Sequence, residues 1–279
     1  MTDLQIRPMT IPDIEAAAAI YKAGGWGERR EYLEWQLASP AMRLLVGLRS
    51  GVVVATGMAA INGPVGWIGS IFVDASMRSR GYGRALTEAA CALVDAAGCR
   101  TQALIASPFG KPLYDKMGFR VDEYYQILEA GPLANAPTPP PGRILRPMQP
   151  DDLDQVHALD RQATGEDRSP IIDSLAGSGW VVDSQAGLGG FLVSILPGGG
   201  TVVAPEIDDA ACLLDQLRHL GVGRTETVHA AVPQVHESGW RGLAQLGWSP
   251  TFQTPRMLRG PKIHWQPTLI WGVLSFAFG

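Results

Sequence analysis

The feature that most constrains the fold of this chain is a repeat of its own beginning. Residues 6–9 read Ile-Arg-Pro-Met and residues 145–148 read Leu-Arg-Pro-Met, so Arg7 and Arg146 lie 139 positions apart. In both places an aspartate, Asp13 or Asp152, precedes an apolar run of helical periodicity and can cap that helix. Each half is therefore predicted to open with a strand, a turn and a helix.

A proline-rich tract separates the two halves. Residues 131–142 read Gly-Pro-Leu-Ala-Asn-Ala-Pro-Thr-Pro-Pro-Pro-Gly, a composition typical of a semi-stiff, extended linker. A chain of 279 residues is long enough for two domains of about 100–200 residues each. We predict one domain over residues 1–130, the linker over 131–142, and a second domain over 143–279.

Composition limits which partners the protein is expected to bind and in which cellular compartment we expect it. A net charge of −4 provides no broad basic field for nucleic acid or for an anionic membrane. The three cysteines, Cys91, Cys99 and Cys212, are not in metal-ligand spacing, so we expect buried thiols, a reducing compartment and no metal. No signal sequence is visible after Met1, and the apolar residues 268–279 are fewer than the roughly 20 that span a bilayer. The expectation is a cytoplasmic protein that ends in a buried strand.

Apolar periodicity gives a coarse set of elements. In the first half, strands are predicted at residues 5–9, 43–48, 52–61, 67–73, 102–106 and 124–128, and helices at 12–22, 29–37, 83–97 and 110–117. In the second half, a helix is predicted at residues 208–220.

The turn between the strand at 67–73 and the helix at 83–97 is the richest in chemistry. Residues 78–84 read Arg-Ser-Arg-Gly-Tyr-Gly-Arg. Free N–H groups at the start of a helix favour a phosphate, and glycines let the backbone approach it closely. The Lys-Ser or Lys-Thr of a P-loop is absent, and so are the third glycine and the acidic residue of a dinucleotide fingerprint.

The pattern Arg78-x-x-Gly81-x-Gly83 resembles the acetyl-CoA loop of the GNAT superfamily of N-acetyltransferases. Residues 114–119, Tyr-Asp-Lys-Met-Gly-Phe, are similar to the tyrosine-led Gly-Phe motif of the same superfamily, and the intervening helix and strand are in the family order. With the repeat, the resemblance implies an α/β (α+β) chain of two tandem GNAT-like domains, each a mixed twisted sheet flanked by helices. It also implies acetyl-CoA as co-substrate.

The resemblance assigns roles residue by residue. Tyr114 would be the acid that protonates the departing thiolate, since a phenol stays protonated at neutral pH. The main chain of one strand would bind the pantetheine arm and polarise the thioester, and the turn after it would bind the pyrophosphate. The strand residues are Ile71, Phe72 and Val73, and the turn residues are Arg78, Ser79, Arg80, Gly81, Tyr82, Gly83 and Arg84.

The acceptor site and the base are less defined. Trp26, in a glycine-rich loop, either shapes the acceptor pocket or caps the core. Asp160 and Asp167 either hold a cationic amine or belong to a capped helix end with a local Asp–Arg pair. No carboxylate stands on the strand at 67–73, so either a water chain through Ser70 or an acid from elsewhere serves as base. The acidic alternatives are Glu28, Glu31, Asp122 and Glu123.

The second half lacks both motifs. Pro205 and Glu206 stand where the first half has its glycine turn; proline removes a donor and glutamate repels a phosphate. Leu243 replaces the motif tyrosine. We therefore expect a degenerate second domain that completes the acceptor cleft or an interface.

The predicted function is acetyl transfer from acetyl-CoA to a small primary amine by direct attack, because neither Cys91 nor Cys99 lies near the motif tyrosine. A non-catalytic acyl-CoA-binding or regulatory module is the alternative. The acceptor stays open, and a homodimer is possible.

Overall fold

The computed structural model describes residues 3–185, 187–196 and 198–279. It reproduces the sequence repeat in atomic detail. Arg7 donates from Nη1 and Nη2 to the two carboxylate oxygens of Asp13 at 2.7 and 2.8 Å, and Arg146 makes the same fork to Asp152 at the same distances. In each half this ion pair joins the first strand to the first helix.

The first half contains six strands and four α-helices. The strands are β1 Gln5–Pro8, β2 Met42–Arg49, β3 Val52–Asn62, β4 Val65–Val73, β5 Thr101–Ile105 and β6 Arg120–Ala130. The helices are α1 Ile14–Ala23, α2 Arg30–Ala38, α3 Tyr82–Ala96 and α4 Lys111–Lys116. All ten lie where the sequence predicts an element of that type.

The second half repeats this order after a stretch without strand or helix at residues 131–142. Its strands are β7 Arg143–Pro147, β8 Trp180–Ser184, β9 Gly187–Leu196, β10 Gly199–Val203, β11 Val228–Pro233, β12 Ser249–Arg259 and β13 Ile270–Gly272. Its helices are α5 Leu153–Thr164, α6 Ser169–Leu175, α7 Ile207–Leu220 and α8 Glu237–Gln245. The fold is a mixed α/β arrangement of two units with the same order of elements.

The two sheets do not divide at the middle of the chain. The larger sheet has the order β1-β2-β3-β4-β5-β12-β6-β11, and the smaller has the order β13-β10-β9-β8-β7. Strand β12 of the second half lies between β5 and β6 of the first half, pairing Arg256 with Ile105 and Pro255 with Tyr124. In return β6 pairs with β11, the fifth strand of the second half. Each half thus lends its sixth strand to the other.

The core is continuous across the halves. One cluster of buried apolar side chains includes Leu33 and Trp67 of the first half together with Ile171 and Phe191 of the second. A separate cluster lies between the opposite face of the first sheet and α3. The first sheet therefore has one face toward α1, α2 and the second half, and another toward α3 and α4.

The C-terminal stretch corrects one prediction. Only Ile270–Gly272 of the predicted apolar strand at residues 268–279 is a strand. The remaining residues 273–279 leave the second half in turn and irregular conformation and pack on the first, where Phe278 is buried in the core. Ala277 and Phe278 are buried as expected, whereas Phe276 is only half-buried. The stretch packs on α2 and β4 and does not join a ladder.

Candidate active site

The site begins where β4 and β5 separate. These neighbours are parallel and pair only from Val65 to Trp67, opposite Thr101 to Ala103. Beyond that point β5 continues with β12, while β4 stays with β3. The edge of β4 from Ile68 to Val73 therefore faces an opening rather than a neighbouring strand, so its main-chain groups on that side are available to a ligand.

A bulge directs the side chains of this edge. Thr56 lies opposite Phe72 and Met58 opposite Gly69, so β4 carries one more residue here than β3. Ser70 takes the left-handed conformation, with φ of 54°, and its carbonyl oxygen accepts a hydrogen bond from Thr56 Oγ1 at 3.0 Å. Bulges of this kind re-aim a strand next to a site. Ile71 contacts the α3 side, and Phe72 packs on Tyr21 of α1.

The turn after β4 presents a row of N–H groups. Ser79 and Gly81 have φ of 62° and 83°, and α3 begins at Tyr82 with Gly81 as its N-cap. The hydrogen bond from Ala85 N to Gly81 O is 3.0 Å long. The N–H groups of Tyr82, Gly83 and Arg84 precede it in the first turn, so they have no acceptor within the helix and can bind an anion.

The side chains around this turn differ in whether they line the cleft. Tyr82 turns its ring into the protein, where its hydroxyl donates to Asp3, and this hydrogen bond raises the pKa of Tyr82. Tyr82 therefore offers a ligand its main chain only. Arg78 lines the cleft and donates from Nε to Val73 O at 3.3 Å. Arg84 pairs with Glu88 at 2.8 Å and, like the exposed Arg80, is not among the lining residues.

A cleft of about 1140 Å³ connects the open edge of β4 with this turn. That volume is ample for a small-molecule ligand. The structure brings ten sequence-predicted site residues together on its wall. These residues are Trp26, Ser70, Ile71, Phe72, Val73, Arg78, Ser79, Gly81, Tyr82 and Gly83.

Tyr114 lines the same cleft from α4, across from β4. Its ring meets Phe119 edge-on at 6.0 Å, and its hydroxyl has no hydrogen-bond partner in the part of the chain that the structure describes. Burial raises the pKa of Tyr114 to about 12. The phenol is thus a neutral proton donor that faces the cleft.

Asp160 and Asp167 lie outside the cleft, and we remove them from the acceptor candidates. Asp160 is buried and accepts from Arg168 Nε at 3.1 Å. Asp167 is exposed and accepts from Ser169 N and Oγ. The alternative of a local Asp–Arg pair at a helix end is the one that the structure shows. Neighbouring Glu166, which sequence reasoning missed, instead accepts from Asn62 Nδ2 and Trp67 Nε1 of the first half, both at 2.8 Å.

No proposed carboxylate base lines the cleft among the residues that the structure describes. Glu28 pairs with Lys22, Asp122 with Arg256, and Glu123 accepts from Tyr124 N at 2.7 Å. Glu31 lies exposed on α2. Ser70 lies at the cleft, but its hydroxyl oxygen is buried.

The equivalent opening in the second half is filled by the chain itself. Strand β13 pairs with β10, Val203 opposite Ile270, and packs beside β11, so it occupies the gap between the fourth and fifth strands of that half. Trp271 is buried there and donates from Nε1 to Ala204 O at 2.9 Å. Within the described residues, β13 thus closes this gap, while Glu206 forms the N-cap of α7 and Leu243 is buried.

Comparison with known proteins agrees with this geometry. The sequence model of the acetyltransferase (GNAT) family matches residues 11–119, and that of an acetyltransferase (GNAT) domain matches residues 156–272. The chain belongs to the GNAT family of acetyltransferases, and it carries two such domains in tandem. No curated protein sequence matches it.

Solved structures share the whole fold. A "putative acetyltransferase" from Pyrococcus horikoshii superposes with a TM-score of 0.81 at 22% identity, over 100% of this chain and 97% of that one. A tandem GNAT protein from the clavulanic acid biosynthesis pathway gives 0.68 at 17% identity, over 93% and 99%. A GCN5-related N-acetyltransferase from Sphaerobacter thermophilus gives 0.61 at 15% identity, over 95% and 99%. These likenesses establish the fold.

Two negative findings complete the site description. Within residues 3–185, 187–196 and 198–279, no three or more His, Cys, Asp or Glu side chains are grouped so that they could hold a metal ion. Over the same ranges, no helix combines the length and the apolar character needed to cross a bilayer.

Proposed function

We propose that the first half of this chain transfers an acetyl group from acetyl-CoA to a primary amine by direct attack, and that the second half binds no cofactor. The observation that carries the proposal is the open edge of β4, which leads to the N–H groups at the start of α3 and faces the Tyr114 phenol across one cleft. The filled gap between β10 and β11 supports one cofactor site per chain.

Each group has a place in the reaction. The main-chain N–H groups at residues 81–84 would bind the pyrophosphate, with Arg78 beside them. The open main chain of Ile71, Phe72 and Val73 would hold the pantetheine arm and donate to the thioester oxygen as it becomes negative. The amine nitrogen forms its bond to the acetyl carbon, the carbon–sulfur bond breaks, and Tyr114 protonates the thiolate. The product nitrogen loses its extra proton to water.

The first experiment is titration calorimetry with acetyl-CoA, followed by an assay of thiol release over a panel of primary amines. We expect a stoichiometry near one per chain, since only one of the two gaps is open, and thiol release with at least one amine. Binding without turnover on any amine would favour the alternative, a non-catalytic acyl-CoA-binding module. Absence of binding would contradict both.

A further inference from the structure

The acceptor side of the cleft has aromatic walls from three distant parts of the chain. Trp26 comes from the loop after α1, Phe72 from β4 and Phe276 from the C-terminal residues 273–279. Trp26 and Phe72 meet edge-on at 5.0 Å, and all three rings are only half-buried. Half-buried rings around a cleft gain free energy when an apolar ligand covers them.

Residues 273–279, which we call the C-terminal segment, are held firmly on the first half. Ser275 Oγ lies 3.2 Å from Tyr32 Oη, and Asn62 Nδ2 donates to Phe278 O at 3.2 Å. Ala277 packs so tightly on β4 that a Cβ at Gly69 would lie 2.3 Å from its carbonyl oxygen. These contacts flank Phe276 on both sides and fix the position of its ring at the cleft.

The charges on the wall have one sign. Among the lining residues in the described part of the chain, the charged side chains are Arg78 and Lys111, both cationic. Binding in this cleft would desolvate a ligand with several ammonium groups without providing a carboxylate partner, and this costs free energy. A single amine on an apolar body avoids that cost. An apolar wall also lowers the pKa of the bound ammonium and favours the neutral nucleophile, which suits a cleft without a carboxylate base.

We infer that the acceptor is a monoamine whose amino group is carried on an apolar body of aromatic size, and that Phe276 of the C-terminal segment selects it. The inference rests on the proposed function, because it names the acceptor of that same cleft. It also gives the second half a direct part in recognition at the site of the first.

Calorimetry with phenethylamine, ethylamine and spermidine, each with and without CoA, tests the inference. Ethylamine carries the same amino group without the ring. We expect phenethylamine to bind about tenfold or more tighter than either of the others. Phe276→Ala should bring the phenethylamine-to-ethylamine ratio close to one, and Phe276→Leu should keep most of it. Trp240→Ala removes a half-buried ring of α8 outside the cleft. This variant should change neither the affinity for phenethylamine nor the phenethylamine-to-ethylamine ratio.

Several results would overturn the inference while leaving the proposed function intact. One is tighter binding of spermidine than of phenethylamine, and another is equal binding of phenethylamine and ethylamine. A third is an unchanged phenethylamine-to-ethylamine ratio in a Phe276→Ala variant whose thermal unfolding matches that of the parent. Failure of the proposed function looks different, because acetyl-CoA would then not bind or no thiol would be released. The amine titrations decide the acceptor class in either event, since they do not depend on turnover.

Discussion

At the scale of single residues, Tyr114 has the properties that an acid in this cleft needs. Its phenol has no hydrogen-bond partner among the described residues, and burial raises its pKa to about 12. Because desolvation disfavours the phenolate, the phenol stays protonated through neutral and moderately alkaline pH.

Replacing Tyr114 by phenylalanine should lower kcat about 100-fold or more, since the leaving thiolate loses its proton donor. In the parent, the rate should rise with pH up to the pKa of the acceptor amine and show no alkaline fall below pH 10. Both are measured by thiol release across pH. Tyr125→Phe removes a buried phenol outside the cleft and should leave kcat unchanged. Full turnover with an unchanged pH profile in Tyr114→Phe would contradict the assignment.

Some of the important residues could be predicted from the sequence and others could not, for a physical reason. Tyr114 and the turn at residues 78–83 lie in short continuous motifs, so the resemblance to the GNAT superfamily pointed to them. Glu166 accepts hydrogen bonds from residues about 100 positions away, and Phe276 lines the cleft together with Phe72, about 200 positions away. Nothing local in the sequence records such a contact, which arises only when the two halves pack together.

At the scale of elements, the turn before α3 depends on one backbone conformation. Gly81 has φ of 83°, where a residue with a Cβ is strained, and this conformation aims the first N–H groups of α3 into the cleft.

Gly81→Ala should destabilise the fold by about 1 kcal/mol and weaken acetyl-CoA binding about tenfold, because relief of the strain turns the N–H groups away. Gly98→Ala is a matched control. Gly98 follows the opposite end of α3 with φ of 79° and open space around it, so the variant carries similar strain far from the turn. Calorimetry and thermal unfolding measure both effects. Equal losses of affinity in the two variants would show that the turn has no special role.

The second half is predicted to bind no cofactor because it lacks both motifs, and the structure adds a strand that fills the corresponding gap. Pro205, Glu206 and Leu243 indicated a missing anion site and a missing acid. The position of strand β13 in the gap could not be predicted, since an apolar stretch predicts a strand but not the neighbour with which it pairs.

At the scale of the whole molecule, the exchange of sixth strands makes the two halves one folding unit. Without β12, strand β5 would expose an unpaired edge and the first half would lose buried Met257 and Leu258 from its core. Apolar periodicity predicts which residues form helices and strands, but it does not predict this exchange. A strand has the same apolar pattern whether its neighbour comes from its own half or from the other half.

Residues 1–130 produced alone should therefore aggregate or unfold without cooperativity, and should not bind acetyl-CoA. The full chain with a protease site inserted after Asn135, in an exposed part of the linker, is the control. After cleavage its halves should co-elute and stay active, since the exchanged strands still join them. Gel filtration, circular dichroism and calorimetry provide the readouts. A folded fragment of residues 1–130 that binds acetyl-CoA would contradict this account.

The strand exchange also sets an order of events on the ribosome. Between the end of β6 at Ala130 and the start of β12 at Ser249, more than one hundred residues must be added. At about 5–20 residues per second this takes on the order of ten seconds. Throughout that interval the edges of β5 and β6 stay unpaired, so the nascent chain can aggregate or bind chaperones. The wall of the cleft is finished only after Phe276 and Ala277 have been added.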